Sequence, residues 1–167
     1  MEIGLSLGSN LGDRLALLAE ARRRVLAIHG LALAAQAPVY ETEPVGVAPA
    51  FGDLFYLNTV LIVEAALELP ALSRQLHAIE SQMGRRRTAD LNSPRPIDID
   101  IIYANGLSLV SEEIRVPHPR WKERRFVVQP LADVRPDLSL PGDPRSVSEV
   151  LRSLPEKERV TLFTKQW

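Results

Sequence analysis

Two aspartates interrupt a run of isoleucines in the segment SPRPIDIDIIY, residues 93–103. Asp98 and Asp100 are two positions apart, so in a β-strand they point to the same face and lie about 6.5–7 Å apart. Aspartate is a poor strand former, and like charges this close repel unless a cation or a proton lies between them. Either aspartate alone would more simply be a solvated residue on a strand face. The pair favours a Mg²⁺ site, because Mg²⁺ is commonly held by one or two carboxylates together with phosphate and water oxygens.

Arginines precede this acidic pair. The loop RRRTADLNSPR, residues 85–95, contains four arginines and one aspartate. Arginine pairs with phosphate through two parallel hydrogen bonds and stays charged at any working pH. A solvated loop that binds nothing is the alternative, but arginines beside a Mg²⁺-binding pair are the usual means of holding a polyphosphate. The sequence has no Walker-type glycine loop, which excludes a P-loop nucleotidase, and the lack of cysteine and of clustered histidines makes zinc a weaker candidate than magnesium.

Tyr56 and Asn58 form a third feature. They share one face of the strand that the segment YLNTVLIVEAAL predicts. A tyrosine ring beside an amide that both donates and accepts hydrogen bonds suits a planar heterocycle. Phe126 in the segment RRFVV could supply a second ring, since offset stacking adds about 0.5–1.5 kcal/mol beyond the area buried. Taken alone, Tyr56 would as readily be an ordinary surface residue.

Predicted strands and helices along the chain must position these residues. Apolar spacing predicts strands over 2–8, 31–42, 56–67 and the Ile/Asp segment, helices over 14–29 and 70–83, and a Gly- and Pro-rich loop over 43–53. This βαββαβ order is typical of a ferredoxin-like α+β sandwich, an antiparallel sheet with helices packed against it. Residues 107–167 are expected to form a C-terminal extension with a late helix over 146–154 and no separate core. We therefore expect a single domain over 1–167.

Composition limits the function classes. The chain has 167 residues, of which 46% are hydrophobic and 25% charged, ordinary values for a globular domain. Its formal net charge of −1 gives no overall attraction to nucleic acid or to a membrane surface. No cysteine is present, which fits a reducing compartment. The segment MEIGLSLGSN lacks a signal-peptide pattern, and no stretch approaches the ~20 apolar residues of a membrane helix, so a soluble cytoplasmic protein is expected.

Two other function classes use part of this residue set. A Mn²⁺-dependent sugar-nucleotide transferase also has an Asp-x-Asp pair, usually in a longer chain with a nucleotide-binding α/β core. A ferredoxin-like RNA-binding module would use the arginines and Tyr56, but it gives the two aspartates no purpose, and the nearly neutral net charge disfavours it. Mg²⁺-dependent turnover of a nucleotide would separate an enzyme from such a binding protein.

Several segments together resemble the 6-hydroxymethyl-7,8-dihydropterin pyrophosphokinase family of folate biosynthesis. Their order and spacing follow the family over essentially the whole chain. The matching segments are Gly8-Ser9-Asn10, residues 40–46 as Y-x-T-x-P-x-G, Tyr56-Leu57-Asn58, Ile79-Glu80 followed by Gly84-Arg85, residues 94–100 as P-R-x-I-D-I-D, Val116-Pro117-His118, and Arg124-x-Phe126.

The resemblance implies a reaction and a set of pterin contacts. The β,γ-pyrophosphate of ATP would pass to the hydroxymethyl group of the pterin, leaving AMP. Two Mg²⁺ ions would sit on Asp98 and Asp100, and the pterin would stack between Tyr56 and Phe126. The full set of pterin contacts that the resemblance implies is Tyr56, Phe126, the side chain of Asn58, and the backbone of Thr42 and Val45.

The resemblance also implies where ATP binds. Arg85 and Arg95 would lie nearest the transferred group. The proton of the acceptor hydroxyl would pass to Asp100, or a metal ion would lower the pKa of that hydroxyl, and the sequence does not decide between them. The ATP contacts carried over by the resemblance are Glu80, Arg85, Arg87, Arg95, Ile101, His118 and Arg124.

The chain departs from the family mainly in the loop that closes over ATP. Asn92-Ser93 stand where members often have Trp-Gly or a similar pair, Leu91 replaces an arginine, and Thr88 replaces a lysine of some relatives. Pro119 follows His118 at a position where tyrosine is common in the family. These departures predict altered loop closure and ATP affinity with the core chemistry intact. Small-molecule substrates are expected, and neither nucleic acid, nor a membrane, nor an obligate protein partner.

Overall fold

Apolar alternation and helical spacing produce twelve principal elements in the part of the chain that the computed structural model describes, residues 1–44, 49–86, 93–156 and 159–167. The elements are β1 (Glu2–Ser9), α1 (Arg14–Leu26), β2 (Leu31–Gln36), β3 (Val39–Thr42), β4 (Tyr56–Ala65), α2 (Leu69–Gln82), β5 (Asp98–Ala104), β6 (Leu109–Val110), β7 (Arg115–Val116), α3 (Arg125–Val134), α4 (Val147–Ser153) and β8 (Val160–Thr164).

The main sheet is antiparallel, in the order β5-β1-β4-β3-β8, and β2 also pairs with β4. The extended segment predicted over 31–42 is two strands rather than one, because Pro38 lacks a backbone N–H and interrupts the ladder between them. β2 pairs with the end of β4, and β3 pairs with its beginning. The predicted α+β class with an antiparallel sheet is confirmed.

One face of the sheet is covered by α1 and α2. Their apolar side chains pack with inward-facing residues of β1, β4 and β5 in one continuous cluster. Asp13 begins α1, since its Oδ1 accepts a hydrogen bond from the Ala16 backbone N–H at 3.1 Å. Pro70 lies in the first turn of α2, where its missing N–H costs nothing. Both predicted helices are therefore confirmed, and α1 ends three residues earlier than the predicted His29.

The opposite face is covered by the C-terminal extension. Val60, Ile62 and Ile102 point to this side and pack against α3 and α4 in a second cluster. The segment RFVVQPLADV, which the sequence left without an assigned helix, forms α3 with Pro130 inside it. The extension also supplies β8, which pairs with β3 at the sheet edge. Helices thus lie on both faces of the sheet, and the second cluster is built on the same strands as the first.

Polar residues occupy one end of this second face. In β4, Tyr56 and Asn58 precede the buried Val60 on the same side, and in β5 Asp98 and Asp100 precede the buried Ile102. The first turn of α3 lies next to this polar end, while the rest of α3 packs over the apolar end. The strand alternation therefore leaves the acids and the aromatic–amide pair in an open cavity beside a closed core.

Candidate active site

The polar end of the second face forms a cavity between β1, β4, β5 and the beginning of α3. Eight residues predicted for the site line it together: Thr42, Tyr56, Asn58, Arg95, Asp98, Asp100, Arg124 and Phe126. Five lining residues had not been predicted: Ser6, Gly8, Glu43, Arg120 and Glu123. The acidic, basic and aromatic features of the sequence therefore meet in one place.

The acid pair lies opposite two small residues of β1. The register pairs Gly8 with Asp98 and Ser6 with Asp100. The intervening Ile99 is buried on the other face, so the two carboxylates share the cavity side as the alternation predicts. Small partners leave space in front of the carboxylates, and the alternation of β1 is the sequence signal that could have identified Ser6 and Gly8.

Arginines compensate the charge of both acids. Arg95 Nη2 lies 2.8 Å from Asp98 Oδ2, and Arg85 contacts the other oxygen of the same carboxylate. Arg124 Nη1 lies 3.9 Å from Asp100 Oδ2. The two predicted groups, acids and arginines, are therefore paired with each other.

Glu80 lies beneath this cluster rather than in a cavity. It is only 2% exposed, it contacts Arg85, and its Oε1 accepts a hydrogen bond from the Ile99 backbone N–H at 2.7 Å. Burial raises the pKa of Glu80 to about 7, although Arg85 and this hydrogen bond oppose the shift. Glu80 thus anchors the middle of the Asp-x-Asp segment and one of its arginines, and the ATP contact that the resemblance implies for Glu80 stays a prediction.

The surroundings of Asp100 and His118 shift the pKa values of both side chains. Asp100 is 44% exposed at the cavity, where partial desolvation and the neighbouring Asp98 raise its pKa above the ordinary value, against the opposing charge of Arg124. Burial, followed by the charges of Arg124 and Arg120, lowers the pKa of His118 to about 4. His118 is consequently neutral at physiological pH, in agreement with its Nδ1 accepting a hydrogen bond from the Arg120 N–H at 3.1 Å.

The amide and the two rings have defined neighbours. Asn58 Nδ2 donates to Thr42 Oγ1 at 2.7 Å, and both residues are buried. Asn58 Oδ1 lies over Gly8, where an added Cβ would come within 2.9 Å of it. The Arg95 guanidinium lies 5.8 Å from the centre of the Tyr56 ring, and the Arg124 guanidinium lies 5.7 Å from that of Phe126. Each of the two rings therefore has a guanidinium within cation–π distance.

A second cavity adjoins the first through Asp100. It lies between α2, β5 and the segment around β7, and Ile101 and His118, two of the predicted ATP contacts, line it. Its other lining residues include Leu76, His77, Glu113 and Arg115, which the sequence did not single out. The acid pair thus stands at the junction of two cavities.

Two predicted site residues, Val45 and Arg87, lie outside the described residues, as do the departures at Thr88, Leu91 and Asn92. In the described ranges no group of three or more histidine, aspartate or glutamate side chains could hold a metal ion by itself. Two carboxylates beside open space suit a hard divalent cation that takes its remaining ligands from phosphate and water. Among the described helices, none is long and apolar enough to span a membrane.

Comparison with known proteins agrees with this geometry. The family described as 7,8-dihydro-6-hydroxymethylpterin-pyrophosphokinase matches residues 4–136. A 2-amino-4-hydroxy-6-hydroxymethyldihydropteridine pyrophosphokinase of Methylorubrum extorquens is 35% identical over 153 residues, covering 90% of this chain and 91% of that one. The folic acid synthesis protein fol1 of Schizosaccharomyces pombe is 36% identical over 155 residues, which cover 92% of this chain but only 20% of the larger fungal protein.

Solved structures share the fold. The HPPK-DHPS of Plasmodium falciparum with pterin and p-hydrobenzoate superposes with a TM-score of 0.66 at 14% identity, covering 90% of this chain and 44% of that one. A crystal structure of an HPPK-DHPS in complex with substrates gives a TM-score of 0.67 at 13% identity, covering 91% and 43%. The chain therefore spans less than half of these two-part proteins.

Proposed function

The chain belongs to the 7,8-dihydro-6-hydroxymethylpterin-pyrophosphokinase family, and from this premise we propose how its own residues carry the family reaction. It transfers pyrophosphate from ATP to the hydroxymethyl group of 6-hydroxymethyl-7,8-dihydropterin, giving AMP and the pterin diphosphate in folate synthesis. The observation that supports this most directly is the cavity in which two aromatic rings and a buried amide adjoin two carboxylates and three arginines, Arg95, Arg120 and Arg124.

The pterin occupies the aromatic end of the cavity. Its ring lies between Tyr56 and Phe126, from which the arginine side chains withdraw when the ligand enters. Asn58 binds the polar edge of the pterin, with one amide hydrogen already engaged by Thr42 Oγ1. The backbone of Thr42 contributes as well, and Val45 is the remaining contact of this proposal. The hydroxymethyl group then points toward Asp98 and Asp100.

Asp98 and Asp100 hold Mg²⁺, with two ions as the expected number. The support is chemical, because their hard oxygens face open space beside arginines that bind phosphate. When bound, the metal neutralises charge that develops on the phosphates and orients them. Glu80 keeps the strand between the two aspartates in place through the Ile99 N–H.

Transfer forms a bond between the pterin hydroxyl oxygen and the β-phosphorus of ATP and breaks the bond from that phosphorus to the oxygen that leaves with AMP. Arg85 and Arg95 exchange their carboxylate partner for the transferred phosphates, so that their charge stabilises the transition state. Asp100 is our candidate to take up the hydroxyl proton. Phosphoryl-type transfer needs positioning and charge neutralisation more than covalent help, which this residue set provides.

The nucleotide extends from the acid pair into the second cavity. Ile101 and His118 line its adenosine portion, and Arg124 stands at the junction beside Asp100. Neutral His118 acts there as a hydrogen-bonding group rather than as a cation. Arg87 belongs to the same proposal as a further phosphate contact.

The enzyme works in the cytoplasm on two small molecules, without nucleic acid, a membrane or an obligate protein partner. A net charge of −1 and the lack of cysteine support this part of the proposal.

The test is incubation of the purified chain with ATP, MgCl₂ and reduced hydroxymethylpterin, followed by separation of the nucleotides. We expect AMP and pterin diphosphate in equal amounts, and neither product when the pterin is omitted or EDTA is added. ADP as the nucleotide product would contradict pyrophosphoryl transfer, and AMP that forms without the pterin would indicate a hydrolase.

A further inference from the structure

We propose that Asn10 is a positioning residue that holds Arg95 in place between the acid pair and Tyr56; this inference rests on the proposed function. Asn10 follows the last residue of β1, where an asparagine is more often part of a turn than of a site. Its contacts in this protein are not those of a turn residue.

Asn10 binds both backbone groups of Arg95. The Arg95 N–H donates to Asn10 Oδ1 at 2.8 Å, and the Asn10 N–H donates to the Arg95 carbonyl oxygen at 3.3 Å. The ladder between β1 and β5 ends at the Gly8–Asp98 pair, so these two bonds continue the contact beyond it. Asn10 is only 3% exposed, and its Nδ2 has no hydrogen-bond partner among the described residues. The side chain of Asn10 therefore contacts Arg95 through Oδ1 and not through Nδ2.

The two residues that flank Arg95 restrict its backbone and leave Asn10 as the acceptor of its N–H. Arg95 stands between Pro94 and Pro96. Because proline has no N–H, Arg95 supplies the only backbone donor of these three residues, and Asn10 takes it up. Pro96 also restricts Arg95 to extended conformations. Two prolines and one asparagine thus leave the Arg95 backbone little freedom.

A fixed backbone defines where the guanidinium lies. Its Nη2 is 2.8 Å from Asp98 Oδ2, and its carbon lies 5.8 Å from the centre of the Tyr56 ring. That position is between the carboxylate that is proposed to hold the metal and the ring that is proposed to hold the acceptor. A displacement of about 1 Å at such a place can cost up to about a hundredfold in rate.

Residues other than Asn10 form the turn after β1 and the start of α1. Gly12 has the positive φ of +66° that the turn requires, and Asp13 Oδ1 accepts the Ala16 N–H at 3.1 Å to begin α1. The hydrogen bonds of Asn10 instead cross to a segment 85 residues further along the chain. A role in the turn alone does not account for them.

The test is a double-mutant cycle in the full chain, with Asn10→Ala and Arg95→Ala made separately and together. Asn10→Ala lowers kcat about tenfold to a hundredfold and changes the KM of ATP and of the pterin by less than about threefold. In the Arg95→Ala background the same change alters kcat by less than about twofold, because Asn10 acts through Arg95. An equal fall of kcat in both backgrounds would overturn the inference.

One further variant separates positioning from general damage. Asp13→Ala removes another backbone hydrogen bond of the same turn and leaves kcat unchanged. A fall of kcat in Asp13→Ala equal to that in Asn10→Ala contradicts the inference. If Asn10→Ala loses its cooperative thermal transition, Asn10→Ser, with its shorter side chain, replaces it in the cycle.

The unsubstituted chain distinguishes the two proposals. If it forms no AMP from ATP and the pterin, the proposed function fails and the inference fails with it. If it turns over normally and Asn10→Ala is equally fast, only the role of Asn10 is contradicted.

Discussion

Replacing Thr42 with valine tests the proposal that this cavity binds the pterin through Asn58. Asn58 Nδ2 donates to Thr42 Oγ1 at 2.7 Å, and each of the two residues is 4% exposed. Valine has nearly the shape of threonine but no hydroxyl, and it is at least as favourable in a strand such as β3. The substitution therefore removes the acceptor of a buried hydrogen bond while opening little empty space.

The magnitude follows from burial. A buried N–H left without an acceptor costs about 1–3 kcal/mol. For a chain of this size each kcal/mol lowers the melting temperature by about 2–4 °C, so Thr42→Val lowers it by roughly 2–12 °C. The Asn58 amide is also no longer held in one orientation above Gly8, and we expect pterin binding to weaken about tenfold, equivalent to about 1.4 kcal/mol.

The assay is an equilibrium titration with the reduced pterin in the presence of a non-hydrolysable ATP analogue, followed by pterin fluorescence. Thr42→Ser is the matched control, because it keeps the hydroxyl and loses one methyl group. We expect the serine variant to bind the pterin within about threefold of the unsubstituted chain, and both variants to bind the ATP analogue normally.

Equal pterin affinity in the valine and serine variants would refute the reasoning, since the hydroxyl would then have no part in orienting Asn58. A tenfold loss of affinity for the ATP analogue in Thr42→Val would refute it in another way, by showing that the substitution disturbs the whole site.

The other predictions concern the acid pair, Arg95 and His118. Asp98→Asn weakens the proposed metal site, so it lowers kcat at least about a hundredfold and changes pterin affinity by less than about threefold; unchanged turnover would remove Asp98 from the metal site. Arg95→Ala slows the single-turnover rate but keeps a cooperative thermal transition, and a normal single-turnover rate would exclude Arg95 from the transfer step. His118 has a pKa of about 4 when folded and about 6.5 when unfolded, so its contribution to stability is present above pH 6.5 and is lost as the pH falls toward 4. The free energy of unfolding, measured in urea at pH 7 and at pH 4.5, should therefore fall by about 2 kcal/mol more in the unsubstituted chain than in His118→Gln. Equal falls would show that the folded chain does not hold His118 neutral.

Features that depend on neighbouring positions could be predicted from the sequence. Asp98 and Asp100 share a strand face because side chains alternate every two residues, and the same rule groups Tyr56 with Asn58. The helices α1 and α2 follow from apolar spacing and from local start signals at Asp13 and Pro70. These features need no information from the rest of the fold.

Features that depend on distant parts of the chain could not be predicted in the same way. The apolar run in RFVVQPLADV fits a buried strand as well as a helix, and only packing against Val60 and Ile62 decides for α3. The pairing of β3 with β8 joins residues more than a hundred positions apart. Glu80 lies on a helix whose buried face looks ordinary in sequence, and its contact with the Ile99 N–H appears only when α2 packs on β5.

The ion pairs between the acids and the arginines of the candidate site bear on how nucleotide and metal would bind. Glu80, Asp98 and Asp100 are linked by ion pairs to Arg85, Arg95 and Arg124, so this cluster contains as many carboxyl groups as guanidinium groups. A polyphosphate alone would draw the arginines away and leave the carboxylates facing its negative charge. A divalent cation alone would displace the arginines from the carboxylates and leave their positive charges close to the cation. When a polyphosphate and divalent cations bind together, the phosphates pair with the arginines and the cations pair with the carboxylates, so neither set of side chains is left without an opposite charge. If Asp98 and Asp100 hold Mg²⁺ as proposed, we therefore expect these ion pairs to favour joint binding of nucleotide and metal over binding of either one alone.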